Sequence, residues 1–215
     1  MDNSTRIQYL SVMGIDVWVP RVAENTSELV EPLQDTWDAL QTDINSCQQC
    51  ELCQTRQQPV CGSGNQQAEF LWLTEAPNLH EEQQGAAFSG QTAELFDEIL
   101  RAVGLSRSTI FTTHIVKCRP AEDKDPKVGE LQACDAFLQR EIAMLQPKRI
   151  FALGRVAAQQ LLSTKVSVSE LRQTAHEYQG IPVTVLYHPA YLLRKLSEKA
   201  SMWNDLQRAF ADSKN

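Results

Sequence analysis

Four cysteines in two widely separated pairs restrict this 215-residue chain more than any other feature. Cys47 and Cys50 form a C-x-x-C step near the front, and Cys118 and Cys134 lie far downstream with fifteen residues between them. Four thiolates drawn from distant parts of a chain suit one soft metal centre, and thiolate-only ligation selects zinc or an iron-sulfur cluster. The competing reading is four buried thiols acting as small hydrophobes. No signal-peptide pattern opens the sequence, and no apolar run is long enough to span a bilayer. The expectation is therefore a cytoplasmic protein with no membrane segment, in which six cysteines point to metal ligation rather than disulfides.

The pattern of apolar residues predicts strands and helices in alternation. Trp37, Leu40 and Ile44 share one face of a helix over 36–47, which would deliver the first cysteine pair. The run Phe70-Leu-Trp-Leu reads as a buried strand, followed by Thr74-Glu-Ala-Pro-Asn78 and a loop to Phe88. A helix over 92–104 has Thr92 as cap, Leu95, Phe96, Ile99, Leu100 and Val103 on its face, and Gly104 as its stop. Downstream come a strand over 110–116, a helix over 127–145 carrying Cys134, a strand over 149–153, and a helix from Gly154 through Leu162. A strand over 183–187 then ends at His188-Pro-Ala190, and a last helix spans 198–210. Such alternation predicts an α/β three-layer sandwich with a mostly parallel central sheet. Sites in that architecture lie beyond the carboxyl ends of the strands, where Glu75, His114 to Cys118, Gly154 and His188 fall.

The residues around the cysteines read CQQCELC, VKCRP and ELQACDAFL, and in these contexts the chain resembles the family 4 uracil-DNA glycosylases. The resemblance implies a 4Fe-4S cluster on Cys47, Cys50, Cys118 and Cys134, with Cys53 and Cys61 at positions that are usually apolar in that family. It also places Glu75 at the glutamate of a GEAPG motif, Phe88 at a base-stacking phenylalanine and His188 at an anion-stabilising histidine. The departures fall in the same implied pocket. GEAPG reads TEAPN, so Thr74 and Asn78 replace glycines that admit close backbone approach. The base-reading asparagine reads His114, whose ring cannot present a donor and an acceptor side by side as an amide does. Glu122 and Asp123 follow the third cysteine near where phosphates would lie. Leu192, Leu193 and Arg194 remain in a stretch that would wedge into DNA.

Ahead of this domain, residues 1–21 carry Tyr9, Leu10, Met13, Ile15 and Trp18, and an acidic, polar stretch over 22–35 reads as a linker to a domain over 36–215. Such an apolar leader must dock somewhere, either onto its own globular domain or, with Trp18 as anchor and Arg21 at its rim, onto another protein as a partner-binding peptide. The spacing of Arg6, Leu10, Gly14, Ile15, Trp18 and Arg21 is similar to the N-terminal peptide of the psi subunit of the DNA polymerase III clamp loader. That resemblance implies binding to the clamp-loader ATPase collar, with the globular part holding the chi subunit.

A net charge of -7, with 27 acidic against 20 basic residues, argues against tight binding to duplex DNA. With the substituted pocket, it leads to the expectation of a psi-like clamp-loader subunit on a catalytically degenerate glycosylase fold, with weak or no DNA binding. Glu75 and His188 are then vestigial, and Phe88, His114 and Asn78 are remnants of a base pocket. The alternative expectation is a divergent uracil-DNA glycosylase acting in base-excision repair.

Overall fold

The computed structural model describes residues 3–14 and 36–211, and the chain divides into two units, 1–34 and 35–215. In the first unit a helix, α1 (Asn3–Val12), carries Tyr9 and Leu10, with Tyr9 and Met13 exposed. Ile15, Trp18, Arg21 and the stretch read as a linker lie outside the described residues.

The second unit opens with α2 (Trp37–Ser46), whose first turn is closed by Thr36 accepting from the Ala39 N–H, and continues through α3 (Leu52–Thr55) and β1 (Ser63–Gly64) to β2 (Phe70–Thr74). Next come α4 (Leu79–Gln84), α5 (Gly90–Ala102), β3 (Phe111–His114), α6 (Val128–Leu145) and β4 (Arg149–Leu153). The chain then forms α7 (Arg155–Leu161), α8 (Val168–Leu171), β5 (His176–Tyr178), β6 (Ile181–Leu186), α9 (Pro189–Arg194) and α10 (Glu198–Ala211). The strands make one sheet in the order β1-β3-β2-β4-β6-β5, parallel through its centre and antiparallel at both edges. No helix among the described residues is long and apolar enough to cross a membrane.

Helices cover both faces, so the central strands are apolar on both sides and successive residues enter opposite cores. Leu71, Leu73, Ile150 and Ala152 pack with Leu40 and Ile44 of α2 and Phe137, Leu138 and Ile142 of α6. Trp72, Phe151 and Leu153 pack with Phe96 and Leu100 of α5, Leu192 of α9 and Met202 and Leu206 of α10. The three-layer, mostly parallel sandwich is thus present. The polar edge strands β1 and β5 carry no apolar alternation and escape a reading by periodicity. Helix α4 forms in the stretch expected to be a loop because Asn78 and Glu81 make a reciprocal capping box. Helix α5 begins at Gly90, so Ser89 rather than Thr92 takes the N-cap position.

After β2 the chain adds β3 on one side and then crosses to place β4 on the other. The connections leaving β2 and β4 diverge, and a crevice opens past their carboxyl ends. Past the end of β3, Lys117 and Glu141 of α6 form an ion pair with both side chains 1% exposed. Lys117 Nζ donates to Glu141 Oε2 at 2.7 Å, Thr113 Oγ1 at 2.6 Å and the His114 carbonyl at 2.9 Å. Substituting Glu141→Leu leaves that ammonium unpaired and is expected to lower the unfolding free energy by about 3–5 kcal/mol. The paired change Lys117→Met with Glu141→Leu should recover most of the loss in a urea titration; equal loss in both variants would contradict the pairing argument.

Candidate active site and thiol centre

The crevice is a cavity of about 690 Å³ whose wall includes Glu75, Asn78, Glu81, Asp123, Gly154, Arg155, Tyr187, His188, Tyr191 and Arg194. Its size lies within the range of small-molecule sites. Glu75 follows β2 directly, and its Oε1 accepts the Val156 N–H at 2.9 Å. Gly154 is required here for two reasons: its φ is +91°, and a Cβ on it would stand 2.6 Å from Glu75 Oε1.

His188 follows β6 and caps α9, its Nδ1 accepting the Ala190 N–H at 3.1 Å. That bond fixes the neutral tautomer with the proton on Nε2, which lies 3.0 Å from Thr74 Oγ1. Burial lowers the imidazole pKa below its ordinary value, although Glu75 and Glu81 oppose the shift. Thr74, expected only to crowd the pocket, therefore has a defined partner: its hydroxyl occupies the one free donor of His188.

Asn78 lines the cavity, but its side-chain oxygen is committed to α4, accepting from the N–H groups of His80 at 2.9 Å and Glu81 at 3.0 Å. Glu81 is the functional candidate that residue-by-residue reading missed. Its carboxylate accepts the Asn78 N–H at 2.9 Å and the Phe88 N–H at 2.8 Å, and stands 3.7 Å from His114 Nε2. Burial pushes its pKa up, but His114 and these backbone donors outweigh burial and hold it below the ordinary carboxylate value. The sequence signal was the N-x-x-E spacing of the capping box.

Phe88 and His114 adjoin the cavity through Glu81 and are both buried. Phe88 holds a left-handed backbone at φ +61°, a strained state for a phenylalanine that its bond to Glu81 maintains. Its ring centroid is 5.7 Å from that of His188 and 4.2 Å from that of Phe96. His114 closes β3 with 1% of its surface exposed, and neither ring nitrogen has a hydrogen-bond partner. The expected acidic repulsion is muted locally, since Arg119 pairs with Asp123 at 2.5 Å and Lys124 with Glu122 at 2.8 Å. Leu192 is buried in the core, and so is not available as a wedge, whereas Arg194 reaches the cavity wall.

Cys47, Cys50, Cys118 and Cys134 line a second, small cavity together with Arg56 and Lys117. Cys53 and Cys61 are not on its wall, and all six thiols are free. Arg56 Nη1 donates to Cys118 Sγ at 2.9 Å while its Nη2 holds the carbonyls of Asn45 and Cys47, and the Lys117 N–H donates to Cys134 Sγ at 3.2 Å. Burial pushes the Cys134 thiol up to about 11 and also raises Cys50 and Cys118. Among the described residues no three potential ligands stand close enough for a single metal ion. A cluster with one cysteine per iron tolerates a wider ring of sulfurs than one tetrahedral zinc, and donors aimed at two sulfurs suit thiolates, so the residues fit an iron-sulfur group.

The pattern of the uracil DNA glycosylase superfamily matches residues 61–207. The chain is 30% identical over 182 residues to a type-4 uracil-DNA glycosylase of Archaeoglobus fulgidus, covering 81% of this chain and 92% of that protein. It is 33% identical over 168 residues to that of Saccharolobus solfataricus, covering 74% and 78%. The Thermotoga maritima protein of the same name is 32% identical over 158 residues, covering 73% and 82%.

These similarities overturn the expectation of a psi-like clamp-loader subunit with clamp-loader ATPase and chi partners, and with it the expectation of weak or no DNA binding. The leader spacing compared only six positions, while the glycosylase similarity runs through the whole sandwich. Net charge sums the whole surface and does not report on one site; the cavity wall carries Arg155 and Arg194 beside Glu75, Glu81 and Asp123.

Proposed function

We propose, taking as premise that the chain belongs to the uracil DNA glycosylase superfamily, that it hydrolyses the N-glycosidic bond of uracil in DNA. The observation that carries the reading is His188 on the cavity wall at the topological switch of the sheet, whose tautomer is set by Ala190 so that its Nε2–H is a fixed donor, held by the Thr74 hydroxyl. A flipped uracil leaves as an anion, and a fixed donor at its carbonyl oxygen lowers the barrier to departure. The base would displace the Thr74 hydroxyl from His188 Nε2 and stack on Phe88. Glu75, anchored at one oxygen by Val156, would offset positive charge developing on the sugar and position the attacking water. Arg194 at the cavity wall suits a flanking phosphate, and Arg155 would have to exchange its ion pair with Asp125 for one.

The test is single-turnover release of uracil from a single-stranded oligonucleotide containing one uracil. Release by the full chain with its metal centre loaded supports the reading; none from single- or double-stranded substrate rejects it.

Cys47, Cys50, Cys118 and Cys134 are proposed to hold a 4Fe-4S cluster that ties α2 and the segment after it to the end of β3 and to α6. Its contribution is to fix these elements, and no step of base removal passes through it. Anaerobically purified protein is expected to be brown, and Cys118→Ser to bleach it and depress its thermal midpoint. Colourless protein containing zinc would overturn the assignment.

A further inference from the structure

A separate concavity of about 320 Å³ is lined by β6, α10 and residues 172–176, and three arginines, Arg149, Arg172 and Arg208, share its wall with a single carboxylate, Asp205. Three guanidinium groups against one aspartate leave a formal surplus of two positive charges in a chain whose net charge is -7. Asp205 is fully engaged: Arg172 Nε donates to its Oδ2 at 2.5 Å and Arg208 Nη2 to its Oδ1. The other titratable group on the wall, His176, is held through its Nε2 by the Leu171 carbonyl at 2.9 Å and Thr174 Oγ1 at 2.8 Å.

Arg149 stands apart from this clamp. Its Nη1 donates to Thr184 Oγ1 at 3.0 Å, its Nε is buried without a partner, and no carboxylate among the described residues pairs with it. An arginine carries five donors in a rigid fork, and a partly buried one with no acid beside it and its Nε buried without a protein partner is expensive to keep. An anion restores the balance, and the fork matches phosphate oxygens in a bidentate manner. A surplus of two positive charges matches a phosphate monoester dianion, whereas a carboxylate would leave one unmet.

We propose that this concavity binds a phosphate group, with Arg149 as its principal ligand and Arg172 and Arg208 flanking it. The Arg172 guanidinium lies 4.2 Å over the ring of Tyr187, and Tyr187 lines the catalytic cavity, so one aromatic ring separates the two sites. The shared chemistry is a phosphoryl anion, carried either by a DNA strand or by a small metabolite. The inference does not rest on the glycosylase reading, because its test is binding.

Inorganic phosphate is titrated into the full chain by calorimetry at constant ionic strength, with chloride as control. Saturable binding is expected, weakened at least about tenfold in Arg149→Gln, which removes the charge without touching the Asp205 clamp. Thr184→Val supplies a second variant, expected to weaken phosphate binding while the thermal midpoint holds. Uracil-free oligonucleotides with and without a 5′-phosphate then compete with inorganic phosphate. Competition by both identifies backbone diesters, competition by the phosphorylated one alone identifies a strand end, and competition by neither identifies a small phosphorylated ligand; each keeps the site. Absence of saturable binding, or equal binding by Arg149→Gln, overturns it, and uracil release measured alongside shows whether the glycosylase reading fails independently.

Discussion

Replacing His188 with alanine is expected to slow uracil release by about 10²–10³-fold, the loss that follows removal of one fixed donor to a developing oxyanion. The rate of the native chain should hold through neutral pH. Burial favours the neutral ring and sets the folded pKa of His188 below the ordinary 6.5, so the decline appears only on the acid side of that value. Protonation there would put a proton on Nδ1 against the Ala190 N–H and break the bond that aims the ring. The stability linkage has the same sign: the unfolded chain takes up the proton more readily, so the contribution is complete above 6.5 and is lost as pH falls through the folded pKa. Single-turnover rates of both proteins across pH, with circular dichroism as a check on folding, decide the matter. An alanine variant that retains full activity would remove His188 from the chemistry.

The second large effect is a gain. His114→Asn is expected to raise uracil release at least about tenfold, because an amide offers a donor to uracil O4 and an acceptor to N3–H on one edge. The native imidazole has both nitrogens buried and unpartnered, a condition that ordinarily costs about 1–3 kcal/mol for the unmet group. The variant's preference for uracil over cytosine should sharpen. If His114→Asn leaves release unchanged or slows it, the base does not meet residue 114 in the way the reading requires.

The similarity to the type-4 enzymes corrects an inference in which each local change was weighed in isolation. Thr74, Asn78 and His114 looked like decay because each replaced a residue with a known task. In the folded chain Asn78 caps α4 and Thr74 bonds His188, while His114 stands 3.7 Å from Glu81 without a hydrogen bond. Asn78 and Thr74 have acquired partners, so their substitution does not by itself mark an abandoned site.

What the sequence determined by itself was the layered fold and the reach of the cysteines. Two-sided apolar strands such as Phe70 to Leu73 must be covered on both faces, and that requirement is carried by residue type alone. The positions of Glu75 and His188 past strand ends follow from the same alternation. Only the tertiary structure decided what the polar side chains do. The tautomer of His188 depends on the Ala190 N–H, Glu81 gains its role by meeting Phe88 and His114 from other elements, and Arg149 is left without an acid because Arg172 and Arg208 already engage Asp205, the one carboxylate on its wall. A hydrogen bond is set by distance and direction between groups far apart in the chain, and hydrophobic periodicity contains no term for either.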